Sequence, residues 1–304
     1  MILLHALMVL PAIPQLPQPP APVNRASSNA CSLPGLAQDS QPPFKDEELL
    51  GAYNAQAVLI RSLQASAIVR AKAGSEYGAR MQESQASPVQ LKFLAPASLR
   101  MTGVIPYSAR RTFDLSSDGR EFRLLVPDGK FMHFFVGPMD APTTSTNPRE
   151  NLRPQPIVES LHWPRARLRN SMKSQEPRAD KTRTIDADLI GLKQGGGLAV
   201  QIEFDLRGGT VSRLTILDAA AKPVTEIQYS NWQRTPTSAG GSGPVCFPKR
   251  ILITEQQHNL QLDMKILLAQ VNVPESPSQF QLLPPRGIAV TRLPAPSPSR
   301  SANH

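Results

Sequence analysis

The sequence predicts a mainly β, α+β fold: an unclosed antiparallel β-barrel of about ten strands wrapped over two or three helices. Three observations predict it. Short runs in which apolar and polar residues alternate recur at regular spacing, as strands with one wet face require. Asp-Gly and Gly-Gly dipeptides separate several of these runs, and glycine's access to positive φ makes them turns. The helical patterns stand apart from the strands instead of alternating with them, unlike a parallel α/β fold.

The first element is a helix. Asp46, Glu47 and Glu48 lie where acids favour a helix N-terminus, and Leu49, Leu50, Tyr53, Ala57 and Ile60 recur on one helical face. A meander follows, with apolar positions Val89, Leu91 and Phe93, then Leu99 and Met101, Phe113 and Leu115, Phe122, Leu124 and Val126, and the run Phe131 to Val136. Ala95-Pro96, Asp118-Gly119 and Asp128-Gly129 mark its turns. Residues 138–185 break the pattern with Pro-, Thr- and Arg-rich sequence, within which Pro156 to Trp163 reads as a short helix ended by Pro164.

The second β half has clearer alternation. Val200, Ile202, Phe204 and Leu206 alternate with Gln201, Glu203 and Asp205, and Gly208-Gly209 turns the chain. Strands are expected at Val211 to Leu217, Val224 to Trp232 and Arg250 to Thr254, and in the alternating run Leu260, Leu262, Met264, Ile266 and Leu268. Phe280, Leu282 and Ile288 to Val290 close the pattern. So broad a sheet must curl, and its apolar face needs the helices as cover.

At 304 residues, with 40% hydrophobic and 19% charged, the chain has material for a real core. Its 31 prolines crowd residues 11–43 and 274–298. The organisation read from this is a signal-like segment and Pro-rich linker at 1–43, a single domain at 44–293 and a tail at 294–304. Met1 to Ile13 is apolar like a signal-peptide core but has no Lys or Arg before it, which leaves the true start open. It is too short and Pro-interrupted to span a membrane, and no later window offers about 18 consecutive apolar residues. Export, to the periplasm or to an outer-membrane anchor, is the expectation.

Cys31 follows Ser28-Asn29-Ala30, the small residue a bacterial lipoprotein signal needs before its cysteine. Lipid attachment at Cys31 is one reading and a plain linker cysteine the other. With Cys246 it permits a single disulfide, although Cys246 also reads as a small buried hydrophobe at a strand start. The net charge of +9 is scattered except for a denser run from Arg165 to Arg183, which reads as a solvated loop or as a contact for phosphate or anionic headgroups. No nucleic-acid-binding motif accompanies it.

The five histidines and the serines show no catalytic pattern. No histidine has a second His or a carboxylate at motif spacing, no Gly-x-Ser-x-Gly elbow occurs, and Gly195-Gly196-Gly197 lacks the Lys-Ser/Thr of a phosphate loop. His133, in a strand, reads as structural. The expectation is a protein that is not an enzyme and takes no cofactor or metal.

The segments LLGAYNAQAVLIRS (Leu49 to Ser62), PASLRMTG (Pro96 to Gly103), SSDGREFRLLVP (Ser116 to Pro127) and FPKRILI (Phe247 to Ile253), with the alternating strand that ends in Val271-Asn272, resemble a lipoprotein-like family of unassigned function in the LolA/LolB-like superfamily. The resemblance covers residues 45–293. It implies an unclosed barrel whose concave apolar face, partly plugged by helices, holds the acyl chains of lipoproteins during transfer to the outer membrane; the partners expected of this chain are a lipid or acylated protein and a membrane surface, and no nucleic acid. Val200, Ile202, Phe204, Leu262, Met264 and Ile266 are the residues expected to line that cavity, with ordinary core as the alternative. In this superfamily an arginine holds the lid closed, for which Arg100 and Arg123 are the candidates. The rival reading is a structural or assembly lipoprotein that binds protein partners in the envelope and needs no cavity.

Overall fold

The computed structural model describes residues 31–36, 44–73, 82–105, 110–139, 141, 145, 149–169, 181–190, 199–238, 243–256 and 260–295. Helix α1 (Asp46–Leu59) opens the body. Strands β1 (Ser62–Ala73), β2 (Gln82–Glu83), β3 (Ser87–Leu94), β4 (Ser98–Val104), β5 (Arg111–Asp118), β6 (Glu121–Asp128) and β7 (Phe131–Pro138) follow, then helix α2 (Pro154–Leu161). The second half holds β8 (Ala166–Leu168), β9 (Thr182–Leu189), β10 (Ala199–Asp205), β11 (Thr210–Leu217), β12 (Pro223–Thr235), β13 (Val245–Glu255), β14 (Leu260–Val271) and β15 (Val290–Arg292).

All these strands belong to one sheet, with the order β15-β7-β6-β5-β4-β3-β1-β14-β13-β12-β11-β10-β9-β8 and β2 on the side of β1. The path has two free ends, so the sheet is not closed. Its pairings are antiparallel except for β15, which runs parallel to β7. The two halves of the chain meet at the β1–β14 seam, where Leu63 lies opposite Val271 and Val69 opposite Met264. A right-handed twist accumulated over so many strands curls the sheet, and the inward residues of both arms form one continuous core with α1 and α2. The unclosed β-barrel over helices is therefore the observed architecture.

Among the described residues the strands number fifteen, against the ten or so expected. The missed strand at the centre, β1, points Leu63, Ala65, Ala67, Val69 and Ala71 inward, and alanine's low β propensity hid its alternation. The stretch 138–185, read as a loop with a helix, also contains β8 and the start of β9. Phe280 and Leu282 lie in a 3₁₀ turn (Pro277–Phe280) and the coil after it, not in a strand; both side chains are buried on the sheet's outer face.

Part of the expected linker packs on this body. Leu33 and Leu36 are buried in the core, and the Leu33 N–H donates to the Gly209 carbonyl at 2.8 Å. Gly209 has φ +59°, and a side chain there would also press on Ser32 and Leu36, which explains a glycine at that turn. Cys31 and Cys246 are joined by a disulfide that spans 215 residues and ties this segment to β13.

Candidate functional site

Helix α1 is fixed at several points along its length. Its first turn is acidic; Glu48 accepts the Lys45 N–H at 3.0 Å, and Asp46 pairs with Arg183 at 2.6 Å. Asn54 both donates to and accepts from the backbone of Ala166 (2.8 and 2.9 Å), and so satisfies an end of the edge strand β8. At its C-terminus the Leu59 carbonyl accepts the Asn272 side chain at 2.8 Å.

Helix α2 starts with Pro154 in its first turn, where a missing N–H costs nothing. Arg153 just before it is buried. Its guanidinium donates to the carbonyls of Ala141 (2.8 Å) and Glu150 (2.7 Å) and lies 5.0 Å from the centre of the Phe122 ring. Burial lowers its pKa to about 10, opposed by the nearby Glu255 carboxylate. After α2 the chain is pinned by aromatic contacts: Trp163 stacks on Tyr53 (ring centres 5.1 Å apart) and meets Tyr229 and Trp232 at 5.4 and 5.8 Å. The Tyr53 hydroxyl donates to Pro164 O at 2.9 Å and that of Tyr229 to Ser160 O at 3.1 Å, which satisfies both buried phenols. Burial raises the pKa of each.

Between these helices and the ends of the two sheet arms lies a half-open cleft of about 1090 Å3. One arm contributes the β3–β4 turn (Ala95, Pro96, Ala97), the β5–β6 turn (Gly119, Arg120) and Pro138-Met139; the other contributes Leu189 at the end of β9 with Ile190 after it, and Ile216 of β11. The end of α1 supplies Ala57, Val58, Ile60 and Arg61, and α2 with its following loop supplies Gln155, Val158, Glu159 and His162 to Arg165. The lining is mainly apolar, and two of its aliphatic side chains, Val58 (54% exposed) and Ile190 (49% exposed), stand in solvent at the rim. Arg61, Arg120 and Arg165 are exposed around it.

One acid belongs to this apolar surface. Glu159 is half-buried; burial pushes its carboxyl up to about 7, with Glu255 adding to the shift and the hydrogen bond from Gln155 (2.9 Å) opposing it. His162 is shifted down by burial, which favours the neutral ring, and its Nδ1 has no hydrogen-bond partner among the described residues. No group of three His, Cys, Asp or Glu side chains suited to a metal occurs among the described residues. The cleft can therefore receive an apolar chain along its walls, and it offers Gln155 and the protonated form of Glu159 as hydrogen-bond donors.

The residues expected to line a cavity lie elsewhere. Val200, Ile202, Phe204, Leu262, Met264 and Ile266 do face inward, but all six are packed in the core and none borders the cleft. Alternation identifies the inward face of a strand, not the part of that face that neighbouring side chains leave uncovered. Arg100 and Arg123 point to the outer face and hold no lid: Arg100 binds Asp114 (2.7 Å) and the Gln281 carbonyl (2.5 Å), and Arg123 pairs with Asp118 and Glu121. The signal for these residues is on α2 and its C-cap, where Gln155, Glu159 and His162 recur at helical spacing beside Val158 and, just past the helix, Trp163.

The basic run is mostly occupied in ion pairs where it is described. Arg167 and Arg169 meet Asp188 at 3.8 and 2.9 Å, and Arg183 meets Asp46. Lys173 and Arg178, like Gly195-Gly196-Gly197, lie outside the described residues. His133 stacks beside Phe135 in β7, ring centres 6.2 Å apart. Cys31 is in the disulfide, and a sulfur so bonded cannot also carry the thioether of a lipid anchor, so the two states exclude each other.

No family model matches the chain, and no curated protein matches it in sequence. Among solved structures it is similar to a LolA superfamily protein from Nitrosomonas europaea, at 11% identity and TM-score 0.46 over 79% of this chain and 99% of that one. It is also similar to a domain from Vibrio parahaemolyticus named for outer membrane lipoprotein sorting, at 8% identity and TM-score 0.45 over 77% of this chain and 94% of that one. These likenesses concern fold, and the function of this chain is argued from its own cleft.

Proposed function

We propose that the protein is a binding or carrier protein of the bacterial envelope that shelters the acyl chain of a lipid or acylated protein in the cleft between its helices and the two arms of its sheet. The observation that carries this reading is the cleft itself, which is mainly apolar, half-open and of the size that small-molecule sites occupy. An acyl chain gains about 0.8 kcal/mol for each methylene taken from water, without directional demands on the walls. The exposed Arg61, Arg120 and Arg165 around the rim fit an anionic headgroup outside. The Cys31–Cys246 disulfide supports an oxidising compartment, in keeping with export.

The test is extraction and mass spectrometry of lipids from the natively purified protein, beside a double variant, Val58→Asp and Ile190→Asp. Both side chains are exposed, so the fold should tolerate the change, while two carboxylates at the rim oppose entry of an apolar chain. The wild type is expected to retain acyl lipid and the variant to lose it by tenfold or more. A wild type reproducibly free of lipid, or a variant equally loaded, contradicts the proposal.

A further inference from the structure

On the convex face, opposite the helices, the central strands β1, β13 and β14 carry a basic surface beside exposed leucines. Register places Lys265 directly across from Arg250 on one side and from Ile68 on the other, with Arg70 across from Asp263. Asp263 is already engaged by Arg250 through two hydrogen bonds of 3.0 Å. Like charges directly opposite on one sheet face oppose folding. Here Asp263 offsets Arg250, and Arg70 and Lys265 make no ion pair among the described residues, so these two cations are the ones left to meet an outside anion. A groove of about 730 Å3 runs over this surface, bordered by Arg70, Lys249, Arg250 and Lys265 together with Asp263 and Trp232.

The same strand then breaks its alternation. Ser66 pairs with Leu268 but Ala67 with Ile266, so Leu267 is an extra residue in β14, a β-bulge that sends two consecutive leucines outward. Leu267 is 49% exposed and Leu268 73% exposed. We propose that this face docks on the surface of an anionic phospholipid bilayer, with Leu267 and Leu268 entering the acyl region while Arg70, Arg250 and Lys265 sit at the level of the phosphates. Cations next to an exposed aliphatic pair on one face match the layered chemistry of a bilayer surface. A single-stranded nucleic acid would instead call for exposed aromatic rings on which bases stack, and the aromatic ring at this groove, Trp232, is packed against Trp163 and Tyr229.

The experiment is co-sedimentation of the full chain with vesicles of phosphatidylcholine alone or of phosphatidylcholine mixed with phosphatidylglycerol. Binding is expected to the anionic vesicles only, and to weaken as salt rises. The double variant Arg70→Gln and Lys265→Gln is expected to lower partition about 30-fold. Leu267→Ser with Leu268→Ser should also reduce partition and leave only binding that salt fully displaces. The cleft variant Val58→Asp with Ile190→Asp should bind vesicles like the wild type, which separates this surface from the cleft. Equal binding to both vesicle types, no binding to anionic vesicles at low salt, or partition unmoved by both convex-face variants overturns the proposal.

Discussion

At the scale of single residues, Glu159 makes the most specific claim on experiment. Unfolded, its carboxyl titrates at its ordinary value of 4.5; folded, burial in the cleft wall moves it to about 7. Between those values the folded state holds the extra proton, so this group's contribution favours folding at low pH and is lost as pH rises through the folded pKa. Glu159→Gln removes the dependence. Urea unfolding at ~pH 5 and ~pH 8 should show the variant gaining on the wild type at the higher pH by roughly 1–3 kcal/mol. A wild type that gains on the variant over the same interval would contradict the assigned environment. Glu159 was not read from the sequence as a site residue, because a single acid in a short helix looks the same whether it meets solvent or an apolar cleft. The six inward apolar residues of β10 and β14 were legible as inward, since alternation reports the face directly.

Among the elements, the C-terminal segment shows what local pattern does not reveal. Residues 275–293 form a strap over the outer face of β1 and β3–β7. Gln64 binds Glu275 (2.7 Å), Arg100 binds the Gln281 carbonyl, Ser116 binds the Phe280 carbonyl, and Leu282 and Ile288 pack on Leu125, Phe134 and Val136. Arg100, which binds the strap, is itself held by the fully buried Asp114 at 2.7 Å, and Arg111 meets the same carboxylate at 2.5 Å. Asp114→Ala leaves two guanidinium groups without their shared partner and is expected to cost about 3 kcal/mol and to expose the strap to limited proteolysis. A loss below about 0.5 kcal/mol with the strap still protected would mean that the ion pairs are not what anchors it. The strap's proline-rich sequence carries no period, so the sequence located its buried apolar residues but not their conformation. Helix α1 was legible for the opposite reason: an acidic first turn and a long apolar stripe agree with each other.

For the whole molecule, one continuous core joins residues from both halves of the sheet across the β1–β14 seam, so the two arms belong to one bent sheet. Its general form could be read from the regular spacing of strands and turns. The seam could not, because Leu63 and Val271 are neighbours only through tertiary pairing, and the alanine-rich inward face of β1 hides its period. The cleft lies where the ends of the two arms do not close over the helices. Hydrogen–deuterium exchange on the full chain, with and without a single-chain lysophospholipid, tests this most directly. New protection at the end of α1, along α2 to Arg165 and in the β3–β4 turn is the expected result. Unchanged exchange in those segments at saturating lipid, or protection confined to other surfaces, would contradict an acyl-binding cleft.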